Sequence, residues 1–150
     1  MKALTIWQPW ASLLASGRKK YETRSWATSY RGPIAIHAAK RPVRQTIDAL
    51  VVDRGNGWTT LDYFDSLFTR LGELDHLPTG AVVGTALLTR CNLITEDFVA
   101  KLTPMERALG DFTLGRYAWE FHGRVPLDSP IPAKGMQGLW ELNLKEEMLC

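Results

Sequence analysis

Residues 7–40 read WQPWASLLASGRKKYETRSWATSYRGPIAIHAAK, and the order of elements in this stretch decides the fold. Pro9 suits the first turn of a helix. Trp10, Leu13, Leu14 and Gly17 follow at helical spacing, and Gly17 is placed to end the helix. Residues 19–25 alternate as a strand does. Lys19, Tyr21, Thr23 and Ser25 share one face, and Lys20, Glu22, Arg24 and Trp26 share the other. Residues 28–32 read as a turn and residues 33–38 as a buried strand.

Working outward, residues 2–6 (KALTI) form a short strand ahead of the helix. Pro42 opens a second helix with Val43, Ile47, Leu50 and Val51 as its apolar stripe, and Gly55-Asn56-Gly57 breaks it. A third helix begins near Thr59 or Thr60 and carries Leu61, Phe64, Leu67, Phe68, Leu71 and Leu74 on one face. These two helices are expected to form a side layer, an insertion over about residues 42–75. Residues 81–91 form a long strand in which Gly84 marks a bulge or a close approach. Thr95 caps a short helix, and residues 104–115 mix helix and loop. Residues 117–121 form a strand that continues in broken form through Arg124 and Val125. Pro126, Pro130 and Pro132 mark an extended connection, and residues 139–144 form the last strand. About five to seven short strands with helices between them predict a single α+β domain over residues 1–150, built on a small β-barrel rather than a doubly wound sheet.

The formal net charge of +2 conceals an asymmetry. Residues 1–44 hold nine Lys/Arg and one acid, Glu22, whereas residues 45–150 hold nine Lys/Arg and fifteen acids. A basic end interleaved with tryptophans is expected to meet a polyanion. No apolar run approaches the roughly 20 residues of a membrane helix, and Lys2 precedes an amphipathic pattern rather than a leader's apolar run. The expected location is cytoplasmic, with no membrane partner. Cys91 and Cys150 lack ligand spacing and the three histidines are scattered, so no metal site is expected. No phosphate-binding loop or dinucleotide fingerprint is present, and no cofactor is expected.

Lys20, Glu22 and Arg24 fall at i, i+2 and i+4, roughly 6.6 Å apart along one strand face. Two readings stand: an ion-pair ladder worth roughly 0–1 kcal/mol, or a cleft in which cations hold a phosphate or base edge while Glu22 orients them. Lys19 at the strand entrance would join that cleft through a twist or bulge. Trp10 belongs to the core. Trp26, next to a polar turn, is a candidate for base stacking. Gln8 either caps the first helix or turns its amide into a pocket. Ser25, Arg31 and Lys40 extend the polar, basic surface. Lys134, within KGMQGLW (residues 134–140), adds a charge where two glycines three apart allow a tight turn or a close backbone approach. His37 reads as a satisfied core histidine. If the protein is an enzyme, Lys19 or Lys20 with Glu22 must supply the acid–base chemistry, with Thr23 or Ser25 as further candidates.

Gly17-x-Lys19-x-x-Glu22-x-Arg24 resembles the GxKxxExR signature of the ASCH domain, named for homology to activating signal cointegrator-1. Gln8-Pro9-Trp10-Ala11-Ser12-Leu13-Leu14 before it, Trp26 and Tyr30-Arg31-Gly32 after it, and Gly135 and Leu139-Trp140 much later complete an ordered set. The resemblance is strong over residues 3–40, weaker over 80–92 and 117–144, and absent over 42–75. It implies a PUA-like fold and an RNA-, single-stranded nucleic-acid- or modified-nucleotide-binding module, with Lys19, Glu22 and Arg24 lining the ligand cleft. Some small relatives are amidohydrolases that deacetylate N4-acetylcytidine using a motif lysine, a threonine two residues before the motif arginine, and a distant glutamate. Lys19 matches that lysine, but Glu22 stands where the threonine would be, which argues against the same mechanism. Binding is therefore the expectation. A nucleoside amidohydrolase or a ribonuclease is the alternative, and a protein-interaction adaptor is a third.

Overall fold

The computed structural model describes residues 1–52, 57–68 and 73–143. Six strands and five helices run in the order β1 (Lys2–Ile6), α1 (Trp10–Ala15), β2 (Tyr21–Arg24), β3 (Gly32–Ala38), α2 (Val43–Val52), α3 (Gly57–Leu67), β4 (Ala81–Leu93), α4 (Glu96–Ala100), α5 (Pro104–Ala108), β5 (Tyr117–Pro132) and β6 (Leu139–Glu141) among the described residues. The strands form one sheet in the order β2-β5-β4-β3-β1-β6. β1 and β3 pair in parallel and the other neighbours are antiparallel. The sheet curls: an Arg24 guanidinium nitrogen donates to the Thr5 carbonyl at 2.8 Å, which joins edge strand β2 to β1 although three strands lie between them in the order. This curled half-barrel with flanking helices is the small α+β barrel that the strand pattern predicts, and it has the PUA-like form that the ASCH resemblance implies.

Alternation along β1 and β3 sorts the side chains between two faces. Leu4, Ile6, Ile34, Ile36 and Ala38 turn into the curl, where Leu14, Ala15, Leu88, Trp119 and Phe121 join them, all buried. Each such large apolar side chain contributes roughly 1.5–3 kcal/mol by leaving water. Ala3, Ala35 and Val82 turn outward and pack with Ile131, Trp140 and Leu142. α1 is laid directly across β4: a Cβ at Gly84 would stand 2.9 Å from the Ala15 Cβ and 3.0 Å from the Val125 carbonyl oxygen. The β4–β5 register also shifts between Val82 and Gly84, so Gly84 marks both a bulge and a close approach.

α3 and α5 pack onto α1. Leu13 of α1, Phe64 and Phe68 from the α3 region, and Leu109 after α5 share a buried cluster. Trp10 meets Phe64 edge-on at 5.9 Å, and its indole N–H donates to the Leu109 carbonyl at 2.8 Å. The Gly55–Asn56 break and Leu71 lie outside the described residues.

One element differs from the sequence reading. The expected broken strand and proline-rich connection form a single strand, β5, of 16 residues. β2 covers its outer edge only from Tyr117 to Glu120. Beyond Phe121, whose N–H reaches the Lys20 carbonyl at 3.5 Å, no described strand covers that edge and the pairing with β4 is bulged, so Pro126, Pro130 and Pro132 are tolerated without breaking the strand.

Candidate nucleic-acid interface

α1 ends at Ala15, Gly17 turns the chain with φ +81°, and β2 follows at once. Lys19 does not join Glu22 and Arg24. It is 2% exposed, and its Nζ donates to Glu106 Oε2 at 2.8 Å and to the Tyr21 carbonyl, with the Phe112 ring centroid 5.4 Å away. The other carboxylate oxygen of Glu106 accepts the Lys20 backbone N–H at 2.6 Å. Glu106 was not singled out from the sequence. The visible signal, Thr103-x-x-Glu106, reads as a helix cap. Thr103 Oγ1 does accept the Glu106 N–H at 3.1 Å, but the Glu106 carboxylate is spent on Lys19 and Lys20 rather than on its own cap.

Glu22 and Arg24 stay together on β2. Glu22 Oε2 accepts from the Arg24 guanidinium at 3.1 Å, and Oε1 accepts the Thr23 N–H at 3.1 Å. With Arg24 also held by Thr5, the pair is fixed in orientation. It lines a small cleft of about 310 Å³ with Thr5, Trp7 and Trp10. Trp7 is 51% exposed, and the Arg41 guanidinium lies over its ring at 4.1 Å.

Two larger clefts adjoin this one through shared walls. Glu22 and Trp10 also line a cleft of about 660 Å³ with Arg107, Asp111 and Thr113. Thr5 also lines one of about 850 Å³ with Lys40 and Lys134 at its rim and Met136 and Gln137 beside them. In the latter, the chain at residues 133–135 lies against His37 and Thr5. A Cβ at Gly135 would stand 2.7 Å from His37 Cε1 and from Thr5 Oγ1, so this is a close approach that only glycine permits. His37 is buried, with Nε2 at 2.7 Å from the Ala133 carbonyl and Nδ1 at 3.1 Å from Thr5 Oγ1. Trp140 Nε1 donates to that same Thr5 oxygen at 3.0 Å. His37 is thus a satisfied histidine that fixes the cleft floor.

The other sequence candidates scatter. Gln8 is fully buried: its amide nitrogen donates to Ser12 Oγ and the Pro78 carbonyl, both at 2.8 Å, and its oxygen accepts the Ser12 N–H. It holds the start of α1 and lines none of these clefts. Ser25 is exposed. Trp26 is 36% exposed and packs edge-on to Trp119 at 4.8 Å. Arg31 is exposed, with its guanidinium on the Thr28 and Tyr30 carbonyls. Lys40 and Lys134 are exposed.

The charge asymmetry of the sequence is partly folded away. Lys2 pairs with Glu141, Lys19 with Glu106 and Arg44 with Asp75, each at 2.8 Å, so the acidic part of the chain neutralises cations of the basic end. A hydrogen bond from the Thr113 hydroxyl holds the Asp111 carboxyl below its ordinary range, against an upward push from burial, with help from the Thr113 N–H and the Arg116 charge. Burial pushes Glu120 up, but the hydrogen bond with His122 at 2.8 Å and the charges of Lys20 and Arg90 outweigh it. Both carboxylates are therefore ionised at neutral pH.

The family model described as the ASCH domain matches residues 4–132. The chain belongs to the ASCH domain family. This family is PUA-like and associated with RNA binding. Activating signal cointegrator 1 of Homo sapiens is 50% identical over 48 residues, which are 31% of this chain and 8% of that protein. The Mus musculus protein of the same name is also 50% identical over 48 residues. The chain thus spans less than a tenth of the length of these curated relatives. Among solved structures, ASCH from Zymomonas mobilis superposes with a TM-score of 0.52 at 18% identity, covering 98% of this chain and 90% of that one. A tyrosine-to-phenylalanine variant of it gives 0.53 at 19% identity, covering 98% and 92%. At such identities the likeness shows the fold. Among the described residues no helix is long and apolar enough to cross a membrane.

Proposed function

We propose that this ASCH domain binds RNA or another single-stranded nucleic acid along the linked clefts, with Arg24, Lys40 and Lys134 on phosphates and Trp7 stacking a base. The observation that carries this reading is continuity. Thr5 is a shared wall between the Arg24–Trp7 cleft and the Lys40–Lys134 cleft, so cations and an exposed tryptophan follow one another along one surface. Such interleaving suits a strand whose phosphates and unstacked bases alternate. Glu22 orients Arg24 and offers an acceptor to a base amine. Trp26 and Arg31 extend the surface beyond β2.

Hydrolysis is the weaker reading. A lysine acting on substrate must reach it, and the Lys19 ammonium is buried among a carboxylate, a carbonyl and a ring. That burial supports binding rather than turnover. Product from N4-acetylcytidine or labelled RNA that disappears in Lys19→Ala would reverse the preference.

The test of binding is fluorescence anisotropy with a labelled single-stranded RNA over a range of salt. The logarithm of the association constant should fall linearly with log salt, by about 0.7 per phosphate neutralised. Lys40→Gln combined with Lys134→Gln should flatten that slope by about 1.4. Trp7→Ala should weaken binding by about 1–3 kcal/mol with the slope unchanged. A slope near zero in the parent protein would sink the reading.

A further inference from the structure

A fourth cleft, of about 380 Å³, lies between the turn at Gly17 and the α4–α5 connection. Arg18, Lys20 and Lys101 line it, all three exposed. Its one acidic wall residue is Glu106, and both oxygens of that carboxylate are already engaged by Lys19 Nζ and the Lys20 N–H. Among the described residues, none of the three cations has a carboxylate within ion-pair distance. Arg18 rests on the Leu67 carbonyl at 3.0 Å with its guanidinium 5.7 Å from the Phe68 ring centre, and Lys20 lies 5.3 Å from the Tyr21 ring centre. Beyond the wall, Glu120 feels the Lys20 charge but is hydrogen-bonded to His122.

Elsewhere in the basic end Lys2, Lys19, Arg24 and Arg44 each have a carboxylate partner, whereas Arg31, Lys40 and Arg41 are spread over other parts of the surface rather than gathered in this cleft. Three uncompensated cations in so small a space repel one another, and a dianion would relieve them. The remaining wall is apolar and aromatic, with Tyr21 and Phe98 edge-on to each other at 5.2 Å. An apolar wall beside a cationic rim suits a phosphate that carries an organic group rather than a bare ion.

We propose that this cleft is a phosphomonoester site, held by Arg18, Lys20 and Lys101, with the sugar or base of the phosphorylated molecule lying on Tyr21 and Phe98. The shared chemistry is a terminal phosphate, supplied either by a free nucleotide or by the phosphorylated end of a strand. The site is separate from the linked clefts and does not rest on them.

The experiment has two arms. Isothermal titration compares uridine 5′-monophosphate with uridine, and anisotropy compares a short RNA bearing a 5′-phosphate with the same RNA bearing a 5′-hydroxyl. The phosphorylated member should bind about tenfold or more tightly in at least one arm, in line with one or two charge-assisted hydrogen bonds. Preference in the nucleotide arm assigns a free nucleotide; preference in the RNA arm alone assigns a strand end. Lys20→Gln and Lys101→Gln, both at exposed positions, should each reduce the preference and together abolish it. Lys134→Gln should leave it intact even where it flattens the salt dependence. Equal binding with and without phosphate in both arms, or a preference that survives the Lys20→Gln/Lys101→Gln double variant, would overturn the proposal.

Discussion

Replacing Glu106 with glutamine should be among the most damaging isosteric changes in this protein. The substitution keeps shape, and the Gln oxygen can still accept the Lys20 N–H. It removes the charge that faces Lys19, which is 2% exposed and held at 2.8 Å. Arg124 also loses compensation. Burial already lowers its pKa against the pull of Glu106, its Nε has no partner among the described residues, and another of its guanidinium nitrogens is tied to the Lys19 and Lys20 carbonyls. Removing one partner of a buried pair costs about 3–5 kcal/mol because the other charge is left uncompensated. With a urea dependence of about 2 kcal/mol per molar, the unfolding midpoint should fall by about 2 M. Lys19→Met should cost less, about 1–3 kcal/mol, because Arg124 and the Lys20 N–H still face the carboxylate. The double variant Lys19→Met/Glu106→Gln should be more stable than Glu106→Gln alone, with a coupling of about 2 kcal/mol. Urea unfolding followed by tryptophan fluorescence reads all four corners of the cycle. A Glu106→Gln midpoint within about 0.5 M of the parent, or strict additivity in the double variant, would refute the view that this pair is a buried charge clamp.

Further outcomes follow from the same geometry. Gly135→Ala places a methyl 2.7 Å from His37 and Thr5, which should cost about 1–3 kcal/mol as overpacking and lower the melting temperature. His37→Ala combined with Gly135→Ala should recover part of that loss, since one of the two clash partners is gone while Thr5 remains. Thr113→Val removes the hydroxyl that holds the Asp111 carboxyl down. Because the folded pKa is depressed, that stabilisation is present above the unfolded value near 3.8 and fades as pH falls through the lower folded value. The difference in urea midpoint between parent and Thr113→Val should therefore be largest near neutrality and shrink as pH falls below the unfolded value near 3.8. An NMR titration should also show the Asp111 carboxyl rising in the variant. The salt dependence of RNA binding and its flattening in Lys40→Gln/Lys134→Gln complete the set.

Much of the fold was legible because it rests on local periodicity. The helix that ends at Gly17, the strand after it, and the buried strand before Lys40 appear where alternation and helical spacing put them. β5 escaped this reading because prolines ordinarily break a sheet, and nothing local says that no described strand covers its outer edge beyond Phe121. The candidate site was half legible. Glu22 and Arg24 share a strand face, so two residues of spacing suffice to bring them together. Trp7 was passed over because exposure depends on what fails to cover it. Glu106 was hidden because its pattern with Thr103 already explained it as a cap.

The sequence by itself determined the order of elements, the faces of each strand, the glycines needed at close approaches and the family motif. These depend on neighbours within a few residues, where backbone geometry sets direction. Only the tertiary structure decided which charges remain available. Lys19 and Glu106 meet across 87 residues, and Lys2 and Arg44 are neutralised by Glu141 and Asp75. A charge count along the chain cannot see such pairings, because Coulomb attraction acts between groups close in space. Among the described residues, Arg18, Lys20, Arg31, Lys40, Arg41, Lys101 and Lys134 are among the cations left without a carboxylate partner once the curl of the sheet has brought the acidic part of the chain against the basic end.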